Sequence, residues 1–411
     1  MKKVGILGAG ITGLSVARFL QDTYEVEILE KNSVCGGIAR TRDVNGIAYH
    51  TVGGHCFNSK YPEIMDFVFN QVLPRTEWNE IQRLSKIQIA GGEFMYPIEF
   101  SIKEIYHHNP ELALQITSDF LSTTDNGQYS HLAEWFTKKF GKTLADLYFI
   151  PYNTKIWHMN PYEMDPQWVQ DKLPIPDKKS FFEALIATKT DNMPHARFYY
   201  PKSNNQNTFI EALAQGINIK YNEEIHAIKY QPVTKKWIVN DCHQYDILIN
   251  TTPIDQLPFV IENCPENVKE AAKMLRYNKI SNILWQTQPT NKTWTYLPES
   301  STIFHRFIHI GSYHKPIQAY SVSESIGEHS YEELVNDGKN NPFLIEPLAY
   351  NQSEHAYVIF DQNYKYAVPH ILTYLAQIGL YSIGRFGEWQ YYNMDVCMKR
   401  SMELAKKIKE S

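Results

Sequence analysis

Gly8, Gly10 and Gly13 stand in the spacing GxGxxG, and Glu30 closes the apolar run EVEILE that follows them. In that arrangement the first glycine permits a tight turn, the second lets the backbone approach a pyrophosphate, and the third lets a helix pack closely on a strand. The pyrophosphate would rest on the helix N-terminus, where free N–H groups and the dipole favour an anion. Glu30 is placed to accept hydrogen bonds from ribose hydroxyls. A second concentration of chemistry is GRFGEWQYYNMD, residues 384–395, which sets Arg385, Glu388, Asn393 and Asp395 beside Trp389, Tyr391 and Tyr392. A surface loop does not ordinarily gather those aromatics, and a buried strand does not ordinarily carry those polar groups. The stretch reads as the wall of a site for a planar, polar ligand.

These residues need elements to hold them. KVGILGAGITGLSVARFLQDTYEVEILEKN reads as strand, turn, helix, strand, because an apolar run ends in glycines, helical spacing follows, and alternation leads to the acid. The segment from Asn218 to Pro253 reads as a meander of short strands, of which DILINTTP is an apolar strand ending at a turn. LYSIGRFG and a helical DVCMKRSMELAKKIKES close the chain. Between them lie a helix in YPEIMDFVFNQV, a hairpin around Gly91 and Gly92, and helical patterns from Ile102 to about Asp146 with capping residues such as Thr123 and Asp125. Alternating β runs then fill Ile280 to Ser323.

At 411 residues the chain exceeds one hydrophobic core, so two or three lobes are expected. The formal net charge is only -5 and no Lys/Arg block occurs, which argues against nucleic acid or a membrane surface as partner. The five cysteines are scattered without metal-ligand spacing, so neither disulfides nor a metal site is expected. The glycine pattern explains the opening segment better than a signal peptide does, and no other run is long and apolar enough to span a bilayer. A reduced, soluble, cytoplasmic protein is the expectation.

Past Glu30, the residues Gly36, Gly37, Arg40 and Thr41 resemble the extended signature of FAD-binding proteins of the amine-oxidase and mutase type. Further ordered motifs resemble the UDP-galactopyranose mutase family, eukaryotic-type members included: TVGGHCFNS, PYNTKIW, YLPESSTIFHRF, SYHKP, YAVP and GRFGEWQYYNMD. The resemblance implies an α/β fold with a discontinuous Rossmann-like FAD-binding domain (1–60, 197–262 and 350–411). A mainly helical lobe (61–148) and an antiparallel sheet lobe for substrate (149–196 and 263–349) would be inserted in it. It implies that Gly54, Arg385, Asn393 and Met394 join Gly8, Gly10, Gly13, Glu30, Gly36, Gly37 and Arg40 in holding FAD, and that His55 lies against the flavin. Tyr96, Asn153, Trp157, Lys172, Tyr296, Arg306, Tyr313, Tyr366 and Tyr391 would meet the substrate. Independently of any family, a diphosphate calls for a forked cation and hydroxyl donors, which Arg306, Tyr296, Tyr313 and Tyr391 supply. A uracil-type base wants an aromatic face, offered by Trp157 or Tyr152.

One loop and two positions depart from the family's pattern: the glycine-rich loop of the family reads YPKSNNQNTF here, with asparagines instead. Lys172 replaces a diphosphate arginine, keeping charge but losing the bidentate fork. Glu99 stands where eukaryotic-type members have glutamine, and a carboxylate there would repel a diphosphate unless it faces a sugar hydroxyl. The resemblance implies a non-redox isomerase of a nucleotide-activated hexose, used in cell-surface polysaccharide biosynthesis. It would work through a flavin–sugar adduct on reduced FAD, kept reduced by NAD(P)H or another external reductant, with His55 and Arg306 central to turnover. A homodimer follows by analogy with bacterial members. The competing expectation is an amine-oxidase or protoporphyrinogen-oxidase type of FAD oxidoreductase.

Overall fold

A computed structural model describes residues 1–166, 169, 173, 175–186 and 196–410. Its nucleotide-binding frame is a five-stranded parallel sheet in the order Tyr381–Ser382, Ile247–Asn250, Lys3–Leu7, Glu25–Glu30, Asn218–Tyr221. Each of the three inner strands is almost wholly buried, as a sheet covered on both faces demands. The strand Lys3–Leu7 is flanked by one neighbour from the N-terminal unit and one from the middle of the chain. A crevice therefore opens beyond its C-terminal end, where the glycine turn lies.

The helix Ile11–Leu20 springs from that turn, with Gly10 as an N-cap that offers no side chain to its free N–H groups. Gly8 takes a φ of +94°, which an L side chain rarely tolerates, and a Cβ on Gly13 would lie 1.9 Å from the Gly8 carbonyl oxygen. Nothing lies within 4 Å of the Cβ position at Gly10, so the second glycine faces open space. The C-terminal helix Met394–Lys409 packs along Ile11–Leu20, where the Ser401 hydroxyl donates to the Thr12 carbonyl at 3.1 Å.

The meander expected over Asn218–Pro253 is only partly one. Its outer segments, Asn218–Tyr221 and Ile247–Asn250, are recruited into the parallel sheet, leaving Ile228–Tyr245 as a separate three-stranded antiparallel sheet. Short β runs do not reveal from sequence which partner they will take.

The second large sheet has seven strands, ordered Leu344–Val358, Tyr277–Thr287, Tyr320–Ile326, Arg306–Ile308, Trp294–Tyr296, Ser85–Ile89, Gly92–Met95. All neighbours are antiparallel except Trp294–Tyr296 with Ser85–Ile89. The glycine hairpin is where the sequence puts it, and it extends this sheet although it precedes the helices. The boundary drawn at residue 350 falls inside a continuous strand. Helices Ile102–His108, Pro110–Ser122 and Leu132–Phe140 bury an aromatic core that includes Phe120, Trp135, Phe136 and Phe140. Their N-caps are Ser101, Asn109 and His131, while Thr123 ends the second of them and Asp125 accepts from the Gly127 N–H in the loop beyond.

A Gly13→Ala variant is expected to lose at least about 1–3 kcal/mol of stability, because the new methyl meets backbone rather than a movable side chain. Thermal melting of the two proteins checks this, and an unchanged midpoint would refute the tight crossing.

Candidate functional site

The two sheets face a common cavity of about 2280 Å³. Gly8, Gly10, Glu30, Gly36, Gly37 and Arg40 line one part of it, and Tyr96, Tyr296, Arg306 and Tyr391 line another, with Gly54, His55, Arg385, Asn393 and Met394 also on its wall. That is more room than one drug-sized ligand needs.

At the glycine end, both Glu30 carboxylate oxygens are already oriented. One accepts from the Ala9 N–H at 2.8 Å and the other from the Asn32 N–H and side-chain amide at 2.9 and 2.7 Å. A carboxylate has about four lone-pair sites, so acceptor capacity remains for a ribose. The Gly36 N–H donates to the Ala9 carbonyl at 2.8 Å, which folds the second glycine loop onto the first. Arg40 donates to the Cys35 carbonyl at 3.2 Å.

The seven-stranded sheet contributes a row of polar residues in strict register. Tyr296 pairs with Arg306, Arg306 with Glu324, Glu324 with Asn282, and Asn282 with Asn351. Cross-strand partners share a face, so the row forms one polar stripe. Glu324 is fully buried and collects donors: Arg306 through Nε at 2.9 Å and through Nη2, Tyr357 Oη at 3.1 Å, His305 Nε2 at 3.2 Å and the Gly53 N–H at 2.8 Å. Burial alone would raise its pKa, but Arg306 and His305 overcome that and hold the carboxyl well below the usual range. Asn282 and Asn351 donate to the Thr51 carbonyl at 2.9 and 3.1 Å. The stripe thereby clamps the Thr51–His55 loop.

Enclosure, reinforced by the nearby Arg385 charge, lowers the His55 pKa to about 4, so the ring is neutral near pH 7. Arg385 spends its Nη1 and Nη2 on the Tyr392 and Ala356 carbonyls, at 3.0 and 2.9 Å, and lies 4.5 Å over the Tyr391 ring. Among the described residues, His55 Nε2 and Arg385 Nε are buried nitrogens with no partner. Two orphaned polar atoms on the cavity wall, an uncapped helix N-terminus and an oriented acid fit a flavin dinucleotide.

Other motif residues lie elsewhere. Asn153 and Trp157 sit on the helix Ile150–Trp157 with side chains turned into the helical core, where Trp157 Nε1 donates to Asn153 Oδ1 at 3.0 Å and the Asn153 amide to the Phe149 carbonyl at 2.8 Å. They do not line the cavity, because satisfying each other removes them from it. Tyr313 is wholly buried among Phe198, Trp294 and Tyr200, behind Gly54, whose Cβ position is 3.1 Å from its hydroxyl. Tyr366 is 56% exposed and stacks on His370 one helical turn away, outside the cavity. Trp389 is core, while its neighbours Tyr391 and Tyr392 line the cavity. Lys172 lies outside the described residues. Glu99 is 3% exposed, and burial pushes its carboxyl up to about 8, so it is neutral at pH 7 and the repulsion expected from it disappears.

Sequence reading missed Arg83, Glu324 and Tyr357. Arg83 lines the cavity and donates to Tyr296 Oη at 2.8 Å, and Tyr357 accepts from Arg306 at 2.6 Å and stacks on Tyr391. An acid in the alternating run YSVSESI was the one available sign, since five of that strand's seven residues are otherwise small or apolar.

A family model described as an NAD(P)-binding Rossmann-like domain matches residues 6–70. The chain is 26% identical to dTDP-fucopyranose mutase of Escherichia coli over 234 residues, 52% of this chain and 60% of that protein. It is 25% identical to 15-cis-phytoene desaturase of an Oncidium hybrid cultivar over 333 residues, 72% of this chain and 54% of that one. The matches thus span little more than half the length of these relatives. A crystal structure of reduced UDP-galactopyranose mutase superposes with a TM-score of 0.87 at 22% identity, covering 100% of this chain and 94% of the other. The resemblance to the UDP-galactopyranose mutase family holds in sequence and in fold. The fold is accordingly a Rossmann-like α/β frame carrying a helical lobe and a largely antiparallel sheet. No described helix is long and apolar enough to cross a membrane.

Two outcomes are expected. Arg306→Ala strands the buried Glu324 charge and is expected to cost about 3–5 kcal/mol in chemical denaturation. For Glu99, the folded pKa lies above the ordinary 4.5, so the folded state binds the extra proton between about 4.5 and 8 and stability falls as pH rises through that window. Glu99→Gln removes this loss. Its melting temperature relative to the parent should therefore climb between pH 5 and pH 8, and a pH-independent difference would refute the burial of an ionisable group there.

Proposed function

We propose that the protein is an FAD-dependent, non-redox isomerase that interconverts the pyranose and furanose forms of a nucleotide-activated hexose. The observation that carries this reading is a single cavity with a glycine frame for a dinucleotide on one wall and a cluster of guanidinium and phenol groups on another. An oxidoreductase acting on an apolar or amine substrate has no use for such a cluster. A substrate that must keep hold of a diphosphate does.

In this reading Gly8, Gly10, Glu30, Gly36, Gly37 and Arg40 hold the adenosine and pyrophosphate, and Gly54, His55, Arg385, Asn393 and Met394 hold the flavin side. Gly13 acts from below, by letting the helix approach. The bound reduced isoalloxazine, regenerated by NAD(P)H or another external reductant, supplies an electron-rich centre toward the anomeric carbon of the sugar. The chain's own groups keep the released diphosphate in place. Arg306 has Nη1 uncommitted among the described residues, and Tyr296 and Tyr391 present phenols beside it. Holding both fragments converts recombination into an effectively unimolecular step. Neutral His55 orients the cofactor by hydrogen bonding and carries no proton in the reaction. Asn153, Trp157 and Tyr313 support the cavity wall from behind, and Tyr366 has no part in it. The protein would work in the cytoplasm, on precursors of surface polysaccharides, with a homodimer as the proposed assembly.

The alternative is an FAD oxidoreductase, favoured by the likeness to the phytoene desaturase, which extends over more of this chain than the mutase match does. One experiment separates them. FAD-loaded protein, reduced with dithionite, is incubated with UDP-galactopyranose and with dTDP-fucopyranose, and the sugars are resolved by chromatography. A furanose isomer formed without net redox change supports the mutase reading. Absence of isomer from every nucleotide sugar, or substrate-driven flavin reduction with oxygen uptake, overturns it.

A further inference from the structure

We propose that Glu223, Cys242 and His243 bind one divalent ion of the zinc class, which ties the small antiparallel sheet to the nucleotide-binding frame. The site does not depend on the reaction proposed above.

One donor atom from each of the three residues lies within 4.8 Å of the other two. The set is a carboxylate oxygen, a thiol sulfur and an imidazole nitrogen. Calcium and magnesium take oxygen ligands, whereas a mixed oxygen, nitrogen and sulfur set suits zinc. A tetrahedral ion with bonds of about 2.0–2.3 Å spaces its ligands about 3.3–3.8 Å apart, so a side-chain rotation brings this trio to ligating distance. Cys242 is exposed and free to make it. The backbone prepares the triangle. Cys242 and His243 follow a turn in which Asn240 and Asp241 both take a positive φ, +50° and +59°, and the Cys242 N–H closes it on the Val239 carbonyl at 3.2 Å. The Asn240 amide reaches across to the Glu223 carboxylate at 3.1 Å and the Glu224 carbonyl at 2.7 Å. Glu223 thereby comes from the edge of the parallel sheet to meet a hairpin of the small one.

His243 is oriented from both sides. Its Nε2 meets Glu223 Oε1 at 3.1 Å, and its Nδ1 lies 3.6 Å from Oε1 of Glu27, a carboxylate only 5% exposed. Tyr245 and Lys3 fix Glu27 in turn, donating to the same oxygen at 2.8 and 3.2 Å. A carboxylate behind a ligating imidazole is the arrangement that sets ring orientation and tautomer in metal sites. An ion entering the triangle displaces the hydrogen bond between His243 and Glu223 and keeps both groups as ligands, with a fourth position left to water on the exposed side. Glu223 also lines the cofactor cavity, and its N–H donates to the Glu30 carbonyl at 2.9 Å, so the ion would steady the segment beside the ribose acid. No sequence spacing marks the site, because only sheet pairing joins groups 20 residues apart.

The test titrates zinc chloride by calorimetry into FAD-loaded protein stripped with EDTA, and examines the zinc-loaded protein by X-ray absorption. One ion per chain is expected, with a single sulfur at about 2.3 Å among nitrogen and oxygen neighbours. Cys242→Ser should remove that sulfur, and Cys242→Ser and His243→Gln should each weaken zinc at least about tenfold. Zinc at a concentration that saturates only the parent should raise the parent's melting temperature and leave the variants' nearly unchanged. The flavin spectrum and the melting temperature without zinc report whether each variant is folded. The serine variant, at an exposed position, carries the comparison if His243→Gln does not fold. A parent that binds no zinc, a bound ion with no sulfur neighbour, or parental affinity in either folded variant overturns the site.

Discussion

The buried carboxylate of Glu324 is the constraint on which the rest of the cavity depends. An ionised acid without solvent is tolerated only when it is paired and hydrogen-bonded, and here a guanidinium, an imidazole and a phenol meet one carboxylate oxygen while a backbone N–H meets the other. The claimants come from three different parts of the fold. Arg306 and His305 lie on or beside the neighbouring strand, Tyr357 on the far edge strand, and Gly53 on a loop belonging to the N-terminal unit. Satisfying one anion thus fixes how the seven-stranded sheet meets the nucleotide-binding frame, and the cavity is the space left between them.

That arrangement also explains the loop Thr51–His55. Asn282 and Asn351 take the Thr51 carbonyl while Glu324 takes the Gly53 N–H, so the loop is held by acceptor and donor at once. Gly53 has a φ of +60°, so a side chain there would strain the backbone of the clamped loop, and its Cβ position lies in contact with Arg306 Nη2 at 3.4 Å. His55 is delivered to the cavity by this clamp together with its own backbone N–H, which donates to His50 Nδ1 at 3.3 Å. Its lowered pKa follows from the same enclosure, which makes it a neutral hydrogen-bonding group across the physiological range.

Much of this was legible from sequence where function is carried by local spacing. The glycines at positions 8, 10 and 13, the acid at 30 and the pair at 36 and 37 act through turns and a helix start within one short stretch, and all take the places their spacing demands. The C-terminal wall was legible in the same way, except that Trp389 turns into the core with a φ of +54°. Legibility fails where a side chain's direction is set by distant partners. Asn153 and Trp157 bond each other along a helix, Tyr313 drops behind Gly54, and Tyr366 points outward, although their motifs match. Glu324 escaped notice because its partners are 18, 33 and 271 residues away, and only strand register brings them together.

This chain is similar both to sugar-nucleotide mutases and to a desaturase, which follows if the Rossmann frame binds a cofactor and leaves the choice of reaction open. The selecting features must then lie on the other wall. In this chain that wall is a polar stripe across five strands, where an apolar sheet face would have been cheaper to bury. A charged stripe compensated internally costs little only while it stays complete, so each member constrains the next: Tyr296 is held by Arg83, Arg306 by Glu324 and Tyr357, and the asparagines by the Thr51 carbonyl. Nothing in the packing of an ordinary sheet calls for that continuity. The proposed function does call for it: an anionic group released and recaptured at a fixed distance from a cofactor would need donors that do not relax when the anion moves.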